Sequence, residues 1–203
     1  MHARGQATFD SILDVTAQLL DEVGFEALTT NMVARVSGVN IATLYQYFSN
    51  KNAILRELFE RQTEARTAVI TDLLSEIRSG ENWRSAFSTA IDATVSMRQQ
   101  QPGSGPLRLA VRSSSELQEH DQRKSQVIID MVSATLVDLA QLEPRHASVV
   151  ARCSLEMLTS LLDFWSLHPG QESRELVEEA KCAILAHMAL YFEPAASASS
   201  QAR

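Results

Sequence analysis

The chain has 203 residues, 45% of them hydrophobic and 21% charged, with a formal net charge of −7. That suits one or two small domains with ample apolar material for a core, and the acidic balance argues against broad nucleic-acid affinity over the whole surface. No cationic leader followed by an apolar run is present, and no uninterrupted apolar run approaches the roughly 20 residues of a membrane span, so a cytoplasmic protein without membrane association is expected. Cys153 and Cys182 fall within helical patterns, which suits reduced thiols acting as small buried hydrophobes.

Glycine and proline punctuate the chain at Gly24, Gly38, Gly80, the cluster at 102–106, Pro144, Pro169-Gly170 and Pro194. A first helix is expected over 8–23, with Phe9, Ile12, Leu13, Thr16, Leu20 and Val23 on one face. Two short helices follow, joined at Gly38. Longer ones read over 51–79, 83–100, 107–113, 116–142, 145–167 and 173–192. No stretch alternates with period two, so no sheet is expected. The fold class is all-α: a three-helix module at the N-terminus and a C-terminal helical bundle, about nine helices together. The expected divisions are 1–50, 51–193 and a small, polar, disordered tail over 194–203.

Residues 29–51, TTNMVARVSGVNIATLYQYFSNK, carry the strongest signal. Thr30 suits an N-cap, and Val33 and the small Ala34 lie on an inner face. Gly38 sits where a tight turn needs positive φ, Val39 fills the corner, and Asn40 suits the cap of the second helix. Leu44 and Phe48 return to the core at i, i+4 spacing. This is the spacing of a DNA-binding helix-turn-helix, whose second helix enters the major groove. That helix turns Ile41, Ala42, Thr43, Tyr45, Gln46 and Tyr47 largely outward. Gln46 can pair bidentately with adenine, and tyrosine hydroxyls suit phosphate oxygens. Residues 27–56 hold three bases (Arg35, Lys51 and Arg56) and no acid, whereas Asp10, Asp14, Asp21, Glu22 and Glu26 lie on or just after the first helix. The face expected to meet DNA is therefore weakly positive inside an acidic protein.

GVNIATLYQYFSNKNAIL, preceded by a helix ending in Leu20-Asp21-Glu22-Val23-Gly24-Phe25 and by Leu28-Thr29-Thr30, resembles the tetracycline-repressor (TetR) family. The resemblance implies a dimer on a double-stranded, pseudo-palindromic DNA operator, an interface of two helices per subunit, and a small-molecule effector that relieves repression. Thr30, Asn31, Thr43 and Lys51 match positions that commonly touch DNA in that family. Lys51 begins a helix, where free N–H groups already favour a phosphate. Residues 1–7 hold only His2 and Arg4 as possible cations where many relatives carry several, so a minor-groove arm is not expected to contribute much.

The last two long helices are apolar on more than one face, and a helix apolar all round must be buried all round. The core covers one face and a second subunit the other, which makes the homodimer the expected state. Trp83, Phe87, Met97, Leu107, Leu109, Met131, Leu155, Leu158 and Trp165 are candidates to line an effector cavity, although core packing is the ordinary role of such residues. Arg108, Arg112, His120 and Arg123 lie near a helix junction and could steer an anion or pair with neighbouring acids. Glu143 and His146 have Glu-x-x-His spacing only once, and no other catalytic, metal-ligating or phosphate-loop signature occurs. No enzyme activity, cofactor or metal is expected. The alternative reading is a helical-bundle enzyme or effector-binding protein that no longer binds DNA.

Overall fold

The computed structural model describes residues 3–77, 82–168 and 170–193. Among them are nine helices and no strand: α1 (Ala3–Ala27), α2 (Thr30–Val36), α3 (Ile41–Tyr47), α4 (Lys51–Ser75), α5 (Trp83–Gln100), α6 (Ser104–Ser113), α7 (Ser115–Ala140), α8 (Pro144–Leu167) and α9 (Gln171–Phe192). The expected turns at Gly80 and Pro169 and the expected tail lie outside the described residues. So do the side chains of His2 and Arg4. The first helix starts earlier than expected, and Gly24 leaves helical geometry inside it at φ 75° and ψ 174°.

The chain divides into two compact units, Met1–Ala65 with Met97–Lys124, and Arg66–Ser96 with Ser125–Arg203. The first unit runs past residue 50 to Ala65 and takes in Met97–Lys124. Its core joins Ile12, Leu13 and Leu20 of α1, Val33 and Ala34 of α2, Leu44 and Phe48, and Ile54, Leu55 and Leu58 of α4 to Leu107, Ala110 and Val111 of α6. The physical reason is that α6 is amphipathic. Leu107, Ala110 and Val111 fall at i, i+3 and i+4, and all three are buried against this core. The turn that leads into α6 is fastened at three points. The Gly103 N–H donates to Asp21 Oδ2 at 2.8 Å. Gln62 Nε2 donates to the Pro102 carbonyl at 2.9 Å, and Gln101 Nε2 donates to the Gln62 carbonyl at 3.1 Å. Gly103 has φ 71°, and a Cβ there would stand 2.7 Å from the Ala17 carbonyl oxygen, so the backbone approaches α1 as closely as only glycine allows.

The second unit has two apolar clusters. One gathers Leu74, Trp83, Phe87, Leu158, Leu162, Val177, Ile184 and Met188, and the other Ile129, Leu136, Ala147, Val150 and Ala151. At the start of α8 the Glu143 carboxylate accepts from the N–H groups of Arg145 and His146, both at 3.0 Å. Pro144 takes the first turn, where its missing N–H costs nothing. The carboxylate of the Glu-x-x-His pair is thus a helix cap, and the His146 ring meets Tyr191 edge-on. The outer sides of α8 and α9 keep Val149, Phe164, Leu167, Leu176 and Leu190 exposed. Cys153 and Cys182, expected to be buried, are exposed free thiols on these helices. No helix of the described residues is long and apolar enough to cross a membrane.

Candidate nucleic-acid interface and effector cavity

The helix-turn-helix is set by local hydrogen bonds. Thr29, rather than the expected Thr30, caps α2, its hydroxyl accepting from the Met32 N–H at 3.2 Å. Thr30 becomes the first helical residue. Gly38 adopts φ 71° in the turn, and the Val39 N–H reaches the Ala34 carbonyl at 3.1 Å. Asn40 Oδ1 caps α3 by accepting from Ala42 at 2.7 Å and Thr43 at 3.3 Å. Asn50 Oδ1 accepts from Ala53 at 2.8 Å at the start of α4. Each cap satisfies a helix-end donor that would otherwise be orphaned, a contribution of about 1 kcal/mol apiece.

With Leu44 and Phe48 buried, α3 exposes Ile41, Ala42, Tyr45 and Gln46, and Thr43 is half-buried. Asn31 of α2 is also exposed. Tyr45 Oη and Thr30 Oγ1 lie 3.1 Å apart. Their two hydroxyls hold two protons and spend one on each other, which leaves one to donate outward and braces α3 against α2. Tyr47 is different. Its ring is half-buried, with its centroid 6.3 Å from that of Phe9 and 6.4 Å from that of Phe48, so its apolar body belongs to the core. Lys51 is not a free surface cation. Its ammonium donates to the Phe25 carbonyl at 3.1 Å and stands 4.4 Å over the Phe25 ring, tying the start of α4 to the end of α1. Two of its three N–H bonds remain for an anion. Arg56 pairs with Glu116 at 3.0 Å. Arg35 is exposed and makes no ion pair among the described residues. It was noted in the charge pattern but not singled out as a contact.

Deeper in the same unit, Glu60 of α4 meets His120 and Lys124 of α7. Burial pushes its carboxyl up, but hydrogen bonds with Lys124, Glu64 and His120 outweigh that and hold it below the ordinary value. His120 is thus part of a half-buried ion cluster.

The second unit contains a cavity of about 80 Å³ that opens to solvent on one side. Five helices line it: Ile70 and Leu74 of α4; Phe87, Ala90, Ile91 and Thr94 of α5; Ile128 and Val132 of α7; Ala151, Ser154, Leu155 and Leu158 of α8; Ile184 and Met188 of α9. Each helix contributes at least one pair at i, i+4. Small residues at 90, 151 and 154, set among large aliphatic ones, leave the space unfilled. A void walled this way stays dry, because water has too few polar partners there.

Of the nine residues expected to line an effector cavity, Phe87, Leu155 and Leu158 do so. Trp83 is buried and stacked on Phe192 at 4.7 Å, touching Phe87 edge-on. Met131 and Trp165 pack beside the Leu74–Met188 cluster and do not line the void. Met97, Leu107 and Arg108 belong to the first unit. Leu107 is core there, and Arg108 pairs with Asp121 at 2.8 Å under the Phe59 ring. Of the four residues that could steer an anion or pair with acids, Arg108 and His120 pair with Asp121 and Glu60, whereas Arg112 and Arg123 are exposed. Leu109 is exposed.

Residues 12–58 match the family model described as "Bacterial regulatory proteins, tetR family", and residues 82–188 match "Tetracyclin repressor-like, C-terminal domain". The chain belongs to the TetR family. A TetR-family transcriptional regulator from Streptomyces coelicolor has the same fold at a TM-score of 0.68 and 27% identity, over 91% of this chain and 99% of that one. FadR from Bacillus subtilis, solved in complex with stearoyl-CoA, gives a TM-score of 0.71 at 17% identity, over 88% of this chain and 98% of that one, a likeness of fold. The uncharacterised HTH-type transcriptional regulator YdeS of Bacillus subtilis is 38% identical over 56 residues, so this chain spans 28% of that protein's length. As a TetR-family transcriptional regulator, the chain uses its N-terminal helix-turn-helix for DNA.

Proposed function

We propose that the protein is a ligand-released repressor that acts in the cytoplasm as a homodimer on a pseudo-palindromic operator. The recognition face is Thr30, Asn31, Ile41, Ala42, Thr43, Tyr45 and Gln46, with Lys51 and Arg35 on phosphates and Tyr47 mainly packing behind them. The effector is a small, mainly apolar molecule in the cavity of the second unit, and α8 and α9 pair the two copies through their exposed apolar sides.

The observation that carries this reading is α4. Its N-terminal residues Ile54, Leu55 and Leu58 build the core that holds the recognition helix, and its later residues Ile70 and Leu74 wall the cavity. A ligand that displaces Ile70 and Leu74 acts on the same continuous helix. In a dimer two recognition helices must sit about 34–36 Å apart to enter successive major grooves, so a shift of α4 in each copy spoils the match. Reversing operator occupancy from 1:99 to 99:1 needs about 5.5 kcal/mol of differential affinity. The stearoyl-CoA held by FadR joins a long hydrocarbon chain to a charged coenzyme, so it supports a hydrocarbon part in the effector and says nothing of its charge.

The test is a gel shift on DNA flanking the protein's own gene. Sequence-specific retardation, and a randomised-site selection in which Gln46→Ala loses one base preference per half-site at a cost of about 1–3 kcal/mol, are the expected results. An effector must then weaken DNA binding by the factor by which operator weakens effector binding. Equal effector affinity with and without saturating operator would refute the release mechanism.

A further inference from the structure

We infer that the effector is an uncharged molecule, largely hydrocarbon, whose polar content is a hydrogen-bond donor such as an alcoholic or phenolic hydroxyl. This rests on the reading of the cavity as the effector site and names the chemistry it accepts.

The wall supplies the argument. Among the described residues, none of its lining side chains is charged and none is a histidine. Only Thr94 and Ser154 bring side-chain polar atoms, and both hydroxyl protons are already spent. Thr94 Oγ1 donates to the Ala90 carbonyl at 2.8 Å, and Ser154 Oγ donates to the Val150 carbonyl at 3.0 Å. Each oxygen therefore has lone pairs to offer and no proton. The backbone N–H groups around the void lie inside helices and are used by the i→i−4 ladder. As arranged, the site accepts a hydrogen bond freely and gives one only if a hydroxyl leaves its own helix carbonyl.

Ligand classes sort accordingly. A carboxylate or a phosphate ester needs donors or a cation, and burying it here strips its water with nothing in exchange. An ammonium ion has protons to give, but no carboxylate lies in the wall to offset its charge. An ether or ketone oxygen finds a donor only at the cost of one of these two helix bonds. A neutral O–H or N–H donor finds two acceptors, one on α5 and one on α8, and its hydrocarbon remainder meets aliphatic wall. The arginines 108, 112 and 123 do not alter this, because none lines the cavity.

The experiment uses the full chain and four probes on one eight-carbon skeleton: 1-octanol, methyl octyl ether, octanoate and octylamine, with the last two ionised at pH 7.5. Affinity is read from tryptophan fluorescence, since Trp83 touches Phe87 of the wall, and checked by calorimetry. The expected order places 1-octanol first, the ether about fivefold to tenfold weaker for one lost hydrogen bond, and the two ions weaker by more than about a hundredfold. The double variant Thr94→Val, Ser154→Ala should remove the octanol–ether difference while changing ether affinity by less than about twofold. Octanoate or octylamine binding as tightly as octanol overturns the inference, and so does a preference for octanol that survives in the double variant. The cavity-filling variant Ala90→Leu separates the two levels of the argument. If it abolishes binding of the series but the order is wrong, the chemical class is wrong and the site stands. If octanol binding is unchanged by it, or no probe binds the wild type, the cavity is not the effector site and the inference falls with that reading.

Discussion

Replacing Gly103 by alanine measures how tightly the turn before α6 is pressed onto α1. Gly38→Ala is the matched control. Both glycines have φ 71°, where an L side chain is strained. That conformational term is about 1–2 kcal/mol for each. The surroundings differ. A Cβ at Gly38 meets nothing within 4 Å, whereas at Gly103 it meets the Ala17 carbonyl oxygen at 2.7 Å and Ala17 Cα at 3.1 Å. Those are backbone atoms of a helix and cannot swing aside. Relief requires the turn to retreat from α1, which lengthens the Gly103–Asp21 bond and loosens the Leu107–Ala110–Val111 face. Overpacking of this kind adds about 1–3 kcal/mol. Gly38→Ala should therefore cost about 1–2 kcal/mol and Gly103→Ala about 2–5 kcal/mol in urea unfolding followed by far-UV circular dichroism. The excess should also appear as faster amide exchange in α1. Equal costs for the two substitutions would show that α6 does not bear on α1 and would refute the packing argument.

Three further outcomes are expected. Lys51→Ala should make the salt dependence of operator binding shallower by about one unit and also lower stability modestly, because the Phe25 carbonyl loses its donor; an unchanged slope removes Lys51 from the phosphates, and unchanged stability removes the brace. Leu161→Asp or Leu176→Asp, on the groove between the outer sides of α8 and α9, should convert a dimer to a soluble monomer in light scattering by placing an unpaired charge at the interface; Met188, buried inside the unit, would report on folding instead. Because the Glu60 carboxyl is held below its ordinary value of 4.5, its ionised form stabilises the fold above that value and the contribution is lost as pH falls through the lowered one. The stability gap between wild type and Glu60→Gln should thus be full at neutral pH and close at more acidic pH; a gap that does not narrow would show that the carboxylate charge is not what stabilises.

The helix-turn-helix was legible because its determinants are local. Gly38, Asn40 and the Leu44–Phe48 spacing act over a few residues, and each performs in the structure the role its chemistry suggests. The misplaced cap at Thr30 is a one-residue error between two adjacent threonines of the same capacity. The cavity was not legible in the same way, because a void depends on what faces a residue across the bundle. Leu107 and Leu158 look alike in sequence, yet one meets α1 and the other meets empty space. The cluster at 102–106 was read as punctuation. Its close backbone approach to Ala17 needs a partner 86 positions earlier in the chain (103 − 17 = 86), and nothing near Gly103 announces it. Lys51 was read by its charge, and its carbonyl partner was equally remote.

The discontinuity of the first unit bears on how these proteins can be recombined. A chimera made by joining this chain at residue 50 to a foreign effector module would carry off the recognition helix without Leu107, Ala110, Val111 and Leu117. The graft would work only if the recipient supplied an equivalent amphipathic helix of matching shape to cover the exposed side of α1. During synthesis, likewise, the DNA-reading end cannot be completed when its own helices leave the ribosome. It must wait until α6 and the first turns of α7 have been made, so the part of α5 that belongs to the second unit is always made before the first unit is complete.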